Sequence, residues 1–320
     1  MELRVNIVAA SIGKENGVKI PTMELEYPRV ALAEFNTHRV FTRNGQSSRA
    51  VPFPRMVEAM RANHHSPLRW LKNQPGMTAT EVMLEDDAAE CEAIWLETME
   101  FNIAQAERLN AKHASKQYVN RLLEPWLMTK TLVTSTRWAN FFKLRDHKDA
   151  LPEFRELAAM MKEAFDKAEF IERSAKEPMA GWHLPYIKPQ DWDTVREAVI
   201  DGGRPDPIEI PSSLVKHMSM FLPQDVGLSH PGMRTLIMMS VARCCRLSYK
   251  TFDTGVVPTL DQDYATFKKL ATDPLHASPM EHVAFPLTHK LHVPGITGNF
   301  HGMRQLRKIM PNEAVEEAIL

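Results

Sequence analysis

Two short segments near the start set the first constraint on the fold. Residues 3–10 (LRVNIVAA) and 21–27 (PTMELEY) alternate apolar and polar side chains. A period of two sends alternate residues to opposite faces of a strand, so both read as strands with one face to bury. PRVALAEF (28–35) opens on proline and continues in helix formers, which marks a helix start. PRMVEAMRAN (54–63) predicts a short helix. From 79 to 123 the apolar residues recur at three and four, the pattern of a packed core helix, with Thr78 or Thr80 opening it through a capping box. Residues 129–146 and 151–170 read as helical too, with Trp138, Phe141 and Phe142 as core candidates. The proline- and glycine-richer stretch 177–232 predicts loop with short elements. Helices resume at 232–248, 260–272 and 300–310, so small mixed patches flank a helical middle.

Composition narrows the partners. Of 320 residues, 44% are hydrophobic and 25% charged, values of a soluble globular protein. The formal net charge of -1 provides no whole-molecule field toward nucleic acid or anionic membrane, so any anion binding is local. No apolar run reaches the roughly 20 residues that span a bilayer. The opening MELRVNIVAAS lacks the apolar core of a signal peptide. Cys91, Cys244 and Cys245 make no disulfide framework and suggest a reducing, cytoplasmic setting, with Cys244 and Cys245 read as buried small hydrophobes.

Against that neutral background one stretch stands out. Between Glu34 and Glu58 there is no carboxylate, yet Arg39, Arg43, Arg49 and Arg55 fall there, with His38, Asn44, Ser47 and Ser48 among them. Arginine keeps its charge and offers donors in a fixed fork suited to phosphate or carboxylate. Hydroxyls and free amides around Gly45 add phosphate-holding groups. The plain alternative is a solvated loop, or arginines paired with carboxylates elsewhere.

Two further concentrations carry chemistry. DPLHASPMEHVAF (273–285) places His276, Ser278, Glu281 and His282 close together; Pro279 predicts a turn. It lacks HExxH metal-ligand spacing, and Ser278 capping a helix toward Glu281 is the ordinary competitor. In RWANFFKLRDHKDALPEFRELA (137–158), Asn140 and Arg145 would stand roughly 140° apart on a helix and could border a groove. Arg155 and Glu156 read as surface charges, and the loop at His64 and His65 suggests no chemistry.

Together these segments resemble the flavin-dependent thymidylate synthases. That family's Arg-His-Arg signature is met by His38, Arg39, Asn44, Ser47 and Arg49, with Thr42 in place of serine and Thr37 in place of the first arginine. HASPMEH is similar to the family's His-x-Ser-Pro-Phe-Glu-His turn. NFFKLRDHKDALPEFRELA, CRLSYK (245–250) and NRLLEP (120–125) resemble three further segments, with Leu151 where glutamine is expected. The order differs, because the turn that comes first in the family stands last here. The resemblance implies one α+β domain over 1–320 with a small antiparallel or mixed sheet, circularly permuted. Residues 1–175 would be the family's second half and 230–310 its first. That arrangement requires the two ends to meet in one sheet.

The implied activity is dTMP synthesis from dUMP. Methylenetetrahydrofolate would be the carbon donor, reduced FAD the hydride source and NADPH the reductant, in a homotetramer; the compact order suggests a phage-type origin. The resemblance assigns His38, Arg39, Asn44, Asn140, Ser248, His276, Ser278 and Glu281 to the flavin. It assigns Ser47, Arg49 and Arg121 to the nucleotide phosphate and sugar, and Arg145 to the pyrimidine, with Arg145 and Ser47 catalytic. Glu34 stands where the family often has glutamine, and would need Arg39 or Arg304 as partner. It could instead accept from a cytosine amino group, so a dCMP or dUMP methyl- or hydroxymethyltransferase is the alternative. A non-catalytic nucleotide-binding homologue is another. In the tail GNFHGMRQLRKIM (298–310), Arg304, Arg307 and Lys308 would add phosphate contacts or form a helix's polar face.

Overall fold

A computed structural model describes residues 1–49, 51–75, 79–203, 228, 230–246, 257–270 and 276–310. The alternating start forms strands β1 (Arg4–Gly13) and β2 (Lys19–Pro28), an antiparallel hairpin with a bulge between Ile7 and Ala9. The chain then makes a 3-10 turn (Arg29–Ala31), α1 (Leu32–Asn36), edge strand β3 (Thr42–Gly45) and α2 (Phe53–Ala62). After α3 (Glu85–Ala111), α4 (Lys116–Val119) and a 3-10 segment (Asn120–Trp126) comes β4 (Met128–Thr134). Then follow α5 (Ala139–Arg145), α6 (Pro152–Lys167), β5 (Ile171–Arg173) and α7 (Pro189–Val195). The last third contributes α8 (Pro231–Cys245), α9 (Leu260–Leu270), a 3-10 turn (Ser278–His282), β6 (Ala284–Pro286), α10 (Pro294–Thr297), β7 (Met303–Gln305) and a 3-10 turn (Leu306–Ile309). The architecture is α+β. One mixed sheet runs β3-β4-β2-β1-β5, with β5 parallel to β1, and β6 and β7 form a separate antiparallel pair.

The sheet's period of two explains how it is covered. Met23, Leu25 and Tyr27 of β2 and Val133 of β4 share one face. They pack with Phe35, Phe41, Trp138, Phe141, Phe154, Leu157 and Met161, so α1, α5 and α6 seal that side. Aromatic rings dominate it, and Phe35 alone meets Tyr27, Phe41, Phe141 and Phe154. The opposite face carries Ile20, Thr22, Glu24, Leu132, Thr134, Thr42 and Asn44. The last third of the chain docks there: Ile20 packs with Ala284, Phe300 and Met303, and Leu132 with Cys244.

Several expectations fail. Residues 129–134 form a strand, because MTKTLVT alternates β-branched residues and pairs between β2 and β3. The stretch 79–123 is not one core helix. It breaks after Ala111, and α3 buries only Met99, Ile103 and Ala106 while Ile94 and Phe101 lie exposed. No capping box opens α3: Leu84 is its N-cap, Thr80 bonds Gln74 instead, and Thr78 lies outside the described residues. Residues 303–305 are a strand rather than helix, because Arg304 pairs with Phe285 and is buried. Among the described residues the two ends do not share one sheet. They meet through side chains, as Asn16 in the β1–β2 turn donates to Leu287 O and Gly302 O, both at 2.7 Å. Helices near 232–248 and 260–272 are present as α8 and α9; residues 247–250 and 271–275 lie outside the described residues.

Candidate functional site

The site is built around edge strand β3 and the loops at its two ends. β3 is short because its segment ends in asparagine and glycine, which favour turns over long strands. Pairing with β4 fixes which way each side chain faces. Arg43 lies opposite Val133 on the aromatic face, and donates to Phe35 O (2.9 Å) and His38 O (3.0 Å). This arginine of the basic run therefore holds the α1–β3 loop in shape. Thr42 and Asn44 face the other way. Asn44 Nδ2 donates to Cys244 O at 2.8 Å, tying β3 to the end of α8.

The His-x-Ser-Pro-x-Glu-His turn packs on that same side. Gln305 is the connector: its Nε2 lies 3.2 Å from Glu281 O, 3.3 Å from Thr42 Oγ1 and 3.2 Å from Asn299 Oδ1. Thr42 Oγ1 also donates to Asn299 Oδ1 at 3.0 Å. The basic segment and the turn thus come together within one chain. His276 and Ser278 of the turn are exposed, and Ser278 makes no cap because Ala277 holds the N-cap position. Glu281 pairs with Arg307, so that tail cation serves the turn rather than a helix face.

Beneath the turn runs a buried polar chain. His282 Nδ1 meets Thr134 Oγ1 (2.8 Å), Thr134 meets Thr22 (2.7 Å), Thr22 meets His183 Nε2 (2.8 Å), and His183 Nδ1 meets Ser11 Oγ (2.9 Å). Burial favours the neutral imidazole. It pulls both histidines down to about 3, with Arg173 and His282 adding to the effect on His183. His282 Nε2 is buried and without a hydrogen-bond partner among the described residues.

On the aromatic side, the end of α5 meets the loop after α1. Arg145 donates through Nε to His38 Nε2 at 2.9 Å, through Nη1 to Glu34 at 3.0 Å and through Nη2 to Thr37 Oγ1 at 3.4 Å, with Phe154 under its guanidinium. Glu34 thus finds its cation in Arg145, not in Arg39 or Arg304. Thr37, standing where the family has arginine, accepts part of the same fork. Burial, then Arg145 and Arg43, pull His38 down to about 4, so it is neutral at pH 7 with its proton on Nδ1. Asn140, one turn earlier on α5, is exposed.

The third cluster is pinned by a residue without any local signal. Asn120 Nδ2 donates to Ser48 O (2.7 Å) and Val51 O (3.0 Å), although Asn120 is fully buried. It brings the loop carrying Ser47 and Arg49 beside Arg121, its neighbour in sequence. Arg39, Arg49 and Arg121 are exposed and carry no ion pair among the described residues. Ser248 lies outside the described residues. Sequence reasoning missed Asn120, Asn299, Gln305 and His183 as organisers, and grouped His282 with the turn without its link to Thr134, since each bonds a partner distant in sequence.

The fold and site define an α+β protein whose sheet edge gathers cations, imidazoles and amides from both ends of the chain. Residues 20–169 match the family described as thymidylate synthase complementing protein, Thy1. The matched span holds β3, the basic loop, Arg121 and Arg145. Among solved structures, the chain is similar to the UMP/dUMP methylase PolB from Streptomyces cacaoi bound with 5-Br UMP. The two are 16% identical over 52% of this chain and 89% of that chain, with a TM-score of 0.42. No curated protein matches the chain.

Proposed function

We propose that the protein methylates the pyrimidine C5 of dUMP, producing dTMP with methylenetetrahydrofolate as carbon donor and FAD reduced by NADPH. The observation that carries this reading is the docking of the Ser278–His282 turn on β3 through Gln305, beside exposed Arg39, Arg49 and Arg121. The residues present fit a flavin dinucleotide: exposed arginines without carboxylate partners suit a diphosphate. Arg39, Asn44, His276, Ser278 and Glu281 would hold the flavin, with His38, Asn140 and Ser248 completing its surroundings. FAD would supply the hydride that converts the transferred carbon to methyl.

The remaining chemistry belongs to the chain. Ser47, Arg49 and Arg121 would hold the nucleotide phosphate and sugar, with Asn120 fixing their spacing. Arg145 would sit against the pyrimidine ring and stabilise negative charge as C5 turns nucleophilic. His38 stays neutral, so it orients that guanidinium without cancelling its charge. Glu34 balances the cation, and only one of its oxygens bonds Arg145. That observation favours one second reading, in which the other oxygen accepts from the 4-amino group of dCMP. The single domain would carry the family's halves in exchanged order, 1–175 before 230–310, and act as a homotetramer. No helix among the described residues is long and apolar enough to cross a membrane.

Adding FAD to purified protein should give a yellow complex, and tritium should leave 5-tritiated dUMP faster than 5-tritiated dCMP. Colourless protein and no release from either nucleotide would favour the non-catalytic homologue.

A further inference from the structure

A cleft beside the His183 end of the buried polar chain shares no lining residue with the site. Ile171 and Arg173 of β5, Met179, Ala180, Trp182, Leu184, Ile187, Lys188, Trp192 and Met233 enclose about 240 Å³. Pockets for drug-sized ligands run roughly 300–1,000 Å³, so the occupant is a one- or two-ring molecule. Two indoles form its walls: Trp182 is buried, while Trp192 stands 38% exposed at the rim. Met179 (38%) and Ile171 (58%) are also exposed there, which gathers large apolar side chains around one opening.

The charge around the cleft has one sign. Arg173 shares the side of β5 that Ile171 occupies, because strand residues two apart face the same way. Its Nη1 donates to Ala180 O at 3.2 Å, and its buried Nε has no hydrogen-bond partner among the described residues. Lys188 is exposed at the opening. Nearby carboxylates are engaged elsewhere. Asp191 is taken by Arg243, Asp193 by Arg196 and Glu177 by Lys14, while Glu172 lies on the other side of β5. A guanidinium lining the same cleft as two indoles suits a carboxylate carried on a flat ring.

We propose that this cleft binds a planar aromatic carboxylate, its ring between Trp182 and Trp192 and its carboxylate on Arg173. The probe is 1-naphthoate, titrated calorimetrically into the full chain. One saturable site is expected, with 1-naphthalenemethanol, the neutral isostere, binding at least tenfold more weakly. Arg173→Gln and Trp192→Ala should each weaken naphthoate at least tenfold. Absence of saturation, equal binding of the alcohol, or unchanged affinity in both variants overturns the assignment. Should Arg173→Gln lose its native circular dichroism, the rim variants Trp192→Ala and Lys188→Gln decide the matter, and both must weaken binding. The binding is independent of dUMP turnover, so a failure here leaves the proposed methylation standing.

Discussion

Arg145 donates to the Nε2 of His38 across 2.9 Å, joining the end of α5 to the loop after α1. The bond consumes the imidazole's lone pair and leaves the guanidinium charged. It also aims the fork at Glu34 and Thr37. Replacing Arg145 by Ala should lower tritium release from 5-tritiated dUMP by about a hundredfold or more, the usual cost of losing a charge-stabilising donor. FAD binding, read from flavin absorbance, should survive. Release at the native rate would remove Arg145 from the chemistry.

Glu34→Gln tests the choice of pyrimidine. Under the dUMP reading the variant keeps its preference for dUMP, because the amide still accepts from Arg145. A wild-type preference for dCMP that Glu34→Gln reverses would instead identify Glu34 as the group reading the ring. Competing both tritiated nucleotides in one reaction gives the ratio directly.

Gln305→Ala should uncouple the turn from β3. Loss of a buried amide that reaches Thr42, Asn299 and Glu281 costs about 1–3 kcal/mol where polar partners are left behind. Urea unfolding measures that cost. Flavin affinity should fall with it, and unchanged FAD titration would separate the turn from the flavin.

Asn120→Ala should raise the KM for the nucleotide more than it lowers kcat, since the residue positions the loop of Ser47 and Arg49 and touches no reacting atom. A fall in kcat at unchanged KM would assign the loop another role.

His38, His183 and His282 set the acid limit of stability. All three are depressed from an ordinary 6.5, to about 4, about 3 and about 3. The unfolded chain then binds more protons than the folded one, so stability is full above pH 6.5 and falls as pH drops toward 3. A tenfold loss of proton affinity on folding corresponds to about 1.4 kcal/mol. Urea midpoints should hold from pH 7.5 to about 6.5 and decline from there to pH 4.5, and that slope should flatten in His282→Gln. A midpoint independent of pH across that window would refute the buried neutral assignment.

Much of this was legible in the residues. The alternation in PTMELEY predicts β2, and the carboxylate-free run and HASPMEH are two singled-out stretches that the fold brings side by side through Gln305. β4 was not, because MTKTLVT follows a helix-like segment and its strand character rests on pairing with β2 and β3 on both sides. Arg304, read as a phosphate contact or part of a helix's polar face, is buried in β7, and burial of a cation there depends on the docked face. The partner of Glu34 was invisible for a similar reason: a residue separated by 111 positions supplies it. The same limit hid Gln305 and Asn120, whose bonds leave no periodic mark.

Asn16, at the tip of the first hairpin, bonds carbonyls 271 and 286 positions away. The β1–β2 hairpin is therefore completed by residues made at least 271 positions later. During synthesis the face of Ile20, Thr22 and Leu132 stays uncovered until Cys244, Ala284, Phe300 and Met303 arrive, and such contacts between remote positions close slowly. A nascent chain halted before residue 287 would display that half-apolar surface to its neighbours, which makes clumping of truncated products a property of its topology.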